Sequence, residues 1–344
     1  MRVGILTGGG DCPGLNTVIR GLVLAGVKRH GYDFVGFRDG WKGLIENLTL
    51  SLKPEDVRPL YDVGGTMLGT SRTNPLSDPA LIERIKGNLV ANKIDVLVAI
   101  GGDDTLGVAT ALAAMGVSAI GIPKTIDNDL SATDTTFGFD TAVAIATEAV
   151  DRLHTTARSH HRVLVAEVMG RHAGWIALHT GIAAGADYTM LPEKETDLAE
   201  LCQAVNREFG PQRKNYAIVV VSEGAVLAQQ SDMATQDESR DAFGHVKLGG
   251  IGKQVSKAIA AETGHETRDV LLGHIQRGGP PTANDRVLAT RYGIFAAEMI
   301  NAGQFGHMAA LQGNEIVAVP LANATDETKI VGEQWFPILD IVNS

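Results

Sequence analysis

The sequence predicts an α/β protein built on mostly parallel sheets, in two Rossmann-like α/β/α domains with the active site in the cleft between them. Short apolar, β-branched runs recur, most are followed by a glycine-rich turn, and a stretch of helical apolar spacing comes next. Strands that are apolar throughout, rather than alternating, suit a parallel sheet covered on both faces. Ligands in such folds collect beyond the carboxyl ends of the strands, so the motifs are expected on loops at one sheet edge.

In chain order the strand candidates are VGILT (3–7), FVGF (34–37), VLVAI (96–100), AIGIP (119–123), VLVAEV (163–168), YAIVVV (216–221) and DVLLGH (269–274). Amphipathic stretches at 15–30, 141–157, 198–209, 252–262 and 285–302 supply the helices between them. The polar segment 225–242 reads as an exposed connector. A boundary is placed near Gly138, where glycine- and Asp-rich loops give way to a long helix able to bridge two sheets.

The chain has 344 residues, more than one hydrophobic core usually holds, which favours two domains or one large α/β unit. A net charge of -10 argues against a nucleic-acid or anionic-membrane partner, so an anionic substrate would need local Arg and Lys clusters. Two cysteines, Cys12 and Cys202, form neither a disulfide framework nor a zinc pattern, which fits a reducing cytosol. The opening MRVGILT reads as a strand rather than a charged leader, and no apolar run approaches the roughly 20 residues that span a bilayer. A soluble, cytoplasmic protein is expected.

Five loops carry chemistry. GGGDCPG (8–14) follows a strand and opens a helix; its glycines let backbone amides approach an anion, although it matches neither the dinucleotide fingerprint nor the P-loop. In GGDDTLG (101–107), Asp103 is the magnesium candidate, the rival reading being a helix cap. PKTIDND (123–129) sets Asp127 where it could face a substrate hydroxyl, with Thr125 and Asp129 positioning phosphate and metal. MGRHAGW (169–175) and GHIQRGG (273–279) bring Arg171 and Arg277, side chains suited to bidentate phosphate recognition. Any one alone reads as a turn or a surface ion pair; together at one sheet edge they do not.

In this order and spacing the loops resemble the phosphofructokinases from Gly4 to about Leu321. The resemblance implies a magnesium-dependent phosphotransferase acting on fructose 6-phosphate. Gly10 and Arg72 would lie at the donor phosphate, Asp103 on the metal, and Asp127 would be the base for the sugar's 1-hydroxyl. Thr125, Ile126, Met169, Gly170, Arg171, Glu223, His274, Ile275, Gln276 and Arg277 would line the sugar-phosphate site, with Arg171 also near the transferred phosphoryl group. Arg162 and Arg268 match two arginines that reach into a neighbouring subunit, so a homo-oligomer is implied. Residues 1–138 with about 277–325 would form the donor domain, and 139–276 with the C-terminal segment the sugar-phosphate domain.

Asp104 and Lys124 stand where ATP-using members typically carry glycine, and match the pairing of the pyrophosphate-using members. A carboxylate near the α-phosphate position repels it by roughly 4 kcal/mol at 4 Å and an effective dielectric of about 20. Lys124 would offset that acid and steady the leaving phosphate; the plainer reading is a Lys124–Asp104 ion pair with no part in donor choice. Trp41 replaces the tyrosine of many ATP-dependent relatives and decides nothing by itself. The rivals are an ATP-dependent enzyme, a kinase of nicotinamide dinucleotides, and a non-catalytic sugar-phosphate sensor.

Overall fold

The computed structural model describes residues 1–228, 235–240, 242–244 and 246–343. Its strands are β1 (Arg2–Thr7), β2 (Asp33–Phe37), β3 (Thr49–Leu52), β4 (Val96–Gly101), β5 (Ala119–Pro123), β6 (Val163–Val168), β7 (Tyr188–Met190), β8 (Ala217–Ser222), β9 (Thr235–Arg240), β10 (Val246–Leu248), β11 (Thr267–Leu271), β12 (His307–Gln312) and β13 (Glu315–Pro320). One sheet runs β13-β12-β5-β4-β1-β2-β3 and a second runs β11-β6-β8-β7. The second is parallel throughout. In the first, only the outer pairs β2–β3 and β12–β13 are antiparallel. Every residue of β4, β5, β6 and β8 is buried, which is what their unbroken apolar sequences demand of strands covered on both faces.

The expected strands are all present, and the differences lie at their ends and at the sheet margins. DVLLGH stops pairing at Leu271; Gly273 then takes φ +50° and the chain tightens into a 3-10 turn, Gly273–Arg277. The margin strands β3, β7, β12 and β13 were not anticipated, because they are short or half exposed and no glycine-acid loop follows them. The segment read as a connector is a correction: β9 lies within it and pairs antiparallel with β10 just beyond it, and the part of it at 229–234 and 241 lies outside the described residues.

The first helix is α-helical over Leu15–Ala25 and widens to a π turn over Gly26–His30, where a side chain at Gly26 would meet the Phe34 ring at 2.5 Å. The long helix Phe139–His160 begins after Gly138, which has φ +98° and no room for a Cβ, since one would sit 2.8 Å from Cys12 Sγ. Its first turn is tied to the helix Ala283–Asn301: the Thr141 amide and hydroxyl donate to Asp285 Oδ2 at 2.8 and 2.6 Å. Burial pushes the Asp285 carboxyl up to about 6 against those bonds.

Candidate functional site

A cavity of about 450 Å³ opens between the carboxyl ends of the two sheets. Its first wall follows β1, β4 and β5. Registers Thr7↔Ile100 and Gly101↔Pro123 bring the three strand ends level, so the loops after them meet. The glycine loop is held from below by its backbone: Gly8 N–H donates to the Ile100 carbonyl at 2.9 Å, and the Thr70 hydroxyl to the Gly9 carbonyl at 2.6 Å. Asp103 and Asp104 are the first two residues of the helix Asp103–Ala114, where the helix dipole favours negative charge. Both line the cavity, as do Gly10 and Arg72.

Lys124 is 3% exposed, and its ammonium donates to the Gly10 carbonyl. That contact seats Lys124 on the glycine loop, and, like Asp104, its side chain lines the cavity. Burial pulls its pKa down; Cys12 opposes that and Arg277 adds to it. Asp127 is also 3% exposed. Thr125 Oγ1 accepts the Asp127 amide at 3.0 Å and lies 3.4 Å from Oδ2, while Oδ1 is buried with no hydrogen-bond partner. The carboxylate is thus fixed on one oxygen and unsatisfied on the other. Asp129, two residues on, is pushed up to about 7 by burial and then by Asp127 and Asp103.

The opposite wall follows β6, β8 and β11. Gly170 takes φ +145°, where a Cβ would lie 2.5 Å from the Ala173 carbonyl oxygen, and Arg171 follows at φ +54°. That strained turn brings Arg171 to the cavity, and its amide donates to Glu223 Oε1 at 3.1 Å. Burial works against the guanidinium's charge, but Asp103, Asp127, Asp129 and Asp104 outweigh it and hold its pKa above the ordinary arginine value. Met169, Glu223 and His274 line the same wall. Arg277 crosses to the first: Nη1 donates to the Asp11 carbonyl at 3.3 Å, and Nη2 lies 4.0 Å from Asp127 Oδ2. A Cβ on Gly10 would approach Arg277 Nη1 to 2.7 Å, so a glycine there leaves space for the arginine.

Some expected residues stand elsewhere. Ile126 and Gln276 are fully buried and Ile275 is 59% exposed, and none of the three side chains lines the cavity. Ile126 is core under its loop, and Gln276 donates to the Gly273 carbonyl at 3.1 Å, holding the turn. Arg162 and Arg268 are also absent from the lining; they converge on Glu266 at 2.8 and 2.6 Å, Arg162 from just before β6 and Arg268 from the adjacent strand β11. Trp41 is 1% exposed within the core, and its ring does not line this cavity.

Other residues were missed. Glu167, 2% exposed, accepts the amides of Gly250 and Gly252 at 2.9 and 2.8 Å and pins the start of the helix Ile251–Thr263. The signal was a lone acid inside the aliphatic VLVAEV. Phe243, between β9 and β10, and Leu248, the last residue of β10, line the cavity.

Glu223 is pushed from 4.5 up to about 7, by burial first and the Asp127 charge second, against the Arg171 amide and Arg277. A carboxyl whose folded pKa is raised keeps its full contribution below the unfolded value and loses it as pH climbs through the folded one. Relative to Glu223→Gln, the wild type should lose up to about 3 kcal/mol of stability between pH 4.5 and 8. Melting both proteins across that range measures it; parallel curves would remove Glu223 as the titrating group.

Backbone amides and cationic side chains facing paired carboxylates across a cleft define an α/β protein equipped for phosphoryl transfer. The phosphofructokinase family model matches residues 2–300, and the chain belongs to that family. It is 58% identical to a pyrophosphate–fructose 6-phosphate 1-phosphotransferase of Streptomyces coelicolor, over 96% of each chain. It is 50% identical to an ATP-dependent 6-phosphofructokinase 3 of the same organism, again over 96% of each. Among solved structures, a Pichia pastoris phosphofructokinase in the T-state superposes with a TM-score of 0.83 at 30% identity, covering 99% of this chain and 36% of that one.

Proposed function

We propose that the protein is a pyrophosphate–fructose 6-phosphate 1-phosphotransferase, moving a phosphoryl group from diphosphate to the sugar's 1-hydroxyl and releasing fructose 1,6-bisphosphate and orthophosphate. The observation that carries the choice of donor is Asp104 on the cavity wall beside a buried Lys124 that is seated on the glycine loop. A short inorganic chain tolerates that acid; an α-phosphate carrying a nucleoside would lie against it.

Asp127 takes the proton from the 1-hydroxyl as the new oxygen–phosphorus bond forms and the bridging bond of diphosphate breaks. Its unpartnered Oδ1 is free to accept that hydroxyl, and Thr125 fixes the other oxygen. Arg171 offsets charge on the group in flight, and Lys124 charge on the departing phosphate. Glu223, His274 and Arg277 hold the sugar phosphate. Among the described residues no three His, Cys, Asp or Glu side chains form a ready-made metal cage. Magnesium needs none, since it binds through one or two carboxylates together with substrate phosphates and water. Asp103, on the cavity wall, fits that mode with Asp129 nearby. When bound, the ion would neutralise donor phosphate charge.

The donor division, 1–138 with about 277–325, and the sugar-phosphate division, 139–276 with the C-terminal segment, meet at this cavity. Arg162 and Arg268, paired on Glu266 outside it, suit delivery to a neighbouring subunit's site, so the working form is a homodimer or homotetramer. No helix of the described residues is long and apolar enough to cross a membrane. The enzyme proposed is a cytoplasmic one whose partners are small phosphates rather than membrane or nucleic acid.

The 50% identity to an ATP-dependent relative keeps ATP as the second reading. Purified protein with magnesium and fructose 6-phosphate should form product with diphosphate at least about tenfold faster than with equal ATP, and should run backwards from fructose 1,6-bisphosphate and phosphate. A faster rate with ATP would reverse the assignment of the donor, and no turnover with either would favour the non-catalytic sensor.

A further inference from the structure

Lys329 lies beyond the residues that match the family model, which end at 300, on the segment following the 3-10 turn Leu321–Ala324. Its ammonium is spent on the loop that carries Asp127. It donates to Asn128 Oδ1 at 3.0 Å and to the carbonyls of Thr133 and Asp134 at 2.8 and 2.9 Å. Three donors meet three acceptors, which is the full capacity of an ammonium. Its backbone completes the clamp: Lys329 N–H donates to the Asp129 carbonyl at 2.8 Å, and Thr328 bridges Leu130.

The same residue reaches the opposite wall. Trp175 Nε1 donates to the Lys329 carbonyl at 2.8 Å, and Trp175 opens the helix Trp175–Ala183 directly after the Arg171 turn. Two residues on, the Val331 amide donates to Glu193 Oε1 at 2.9 Å, and that oxygen also accepts the Gly174 amide at 2.8 Å. One short segment therefore holds both the Asp127 loop and the Arg171 turn.

Both held segments need holding. Arg171 takes φ +54°, a left-handed conformation that such a side chain keeps only where the surroundings enforce it, and Asn128, next to Asp127, takes φ +53°, which asparagine reaches at less cost. Asn128 Oδ1 has one further partner, the Thr136 amide at 3.2 Å. Burial lowers the ammonium's pKa to about 8, against the attraction of Asp129 and Asp134. A surface lysine with no task would not be drawn into such a place.

We propose that Lys329 is a positioning residue for phosphoryl transfer: it fixes Asn128, and through it the aim of the Asp127 carboxylate, while its main chain locks that loop to the Arg171 turn. The inference rests on the function proposed above, in which Asp127 and Arg171 act on the same phosphoryl group.

The test compares wild type, Lys329→Met and Lys329→Arg with whichever donor the wild type uses. Lys329→Met should lower kcat by about 10- to 50-fold while KM for fructose 6-phosphate and for the donor stay within about threefold. Lys329→Arg, which keeps the charge and the donors, should recover at least a third of the wild-type kcat. Wild-type kcat in a folded Lys329→Met protein, or a loss confined to KM, would overturn the inference and leave the functional reading standing. If Lys329→Met does not fold, Lys329→Gln replaces it under the same criterion, and failure of both to fold would make the residue structural only and also overturn it. A wild type inactive with both donors would bring down the functional reading first, and this inference with it.

Discussion

Asp127→Ser should lower kcat by at least about 10²- to 10⁴-fold, the range over which a positioned base acts, while fructose 6-phosphate still binds. The two halves of this result have separate causes. Turnover needs a proton acceptor within hydrogen-bond reach of the 1-hydroxyl, and the buried, unpartnered Oδ1 of Asp127 is the group available at the meeting of both walls. Serine keeps a polar atom there without a basic oxygen. Binding, by contrast, depends on cations opposite the sugar phosphate, and removing a carboxylate 4.0 Å from Arg277 Nη2 releases that guanidinium rather than depriving it of a role. The affinity for fructose 6-phosphate should therefore stay level or rise. Calorimetric titration alongside steady-state rates reads both. Activity above about a tenth of wild type would reject Asp127 as the base; a loss of sugar-phosphate binding matching the loss of rate would show that it holds substrate instead.

What the sequence made legible follows from which constraints are local. Gly8–Gly10, Asp103, Asp127 and Arg171 are readable because each sits at the end of an unbroken apolar strand, where parallel packing sends every loop to one edge. Contacts between residues far apart in the chain are a different matter. Nothing near position 329 announces that Lys329 will bond to Asn128, 201 residues away, and Asp285 reads as one more helix acid until Thr141 is found against it. Arg277 was legible as a cation of this sheet edge, but its reach to Asp11 and Asp127 depends on how the walls close. Ile126, Ile275 and Gln276 show the limit of reading by motif: membership of the motif does not bring their side chains to the cavity, where burial makes Ile126 core and Gln276 a turn support. Trp41 was ambiguous as a letter and is not ambiguous once it is 1% exposed.

Asp104→Gly should raise kcat/KM for ATP by about 10²- to 10³-fold and change that for diphosphate far less. Unit charges 4 Å apart at an effective dielectric of about 20 repel by roughly 4 kcal/mol, or nearly three powers of ten. Folding should survive the change: Asp104 contributes to the helix through its place in the first turn, at about 0.3–1 kcal/mol. Lys124→Gly is a different substitution. It removes a side chain that is 3% exposed, empties its buried volume and strips the Gly10 carbonyl of its donor. The glycine loop should then slacken for any phosphate donor, so this variant alone should lose activity with both. In the double variant the preference should swing toward ATP at a reduced absolute rate, with the swing traceable to position 104 and the reduction to position 124. Measuring kcat/KM for each donor across wild type, both single variants and the double variant separates these contributions. If Asp104→Gly leaves the ratio of the two donors within about threefold of wild type, charge at this position does not choose the donor, and the choice must lie in the shape of the loop that Lys124 supports.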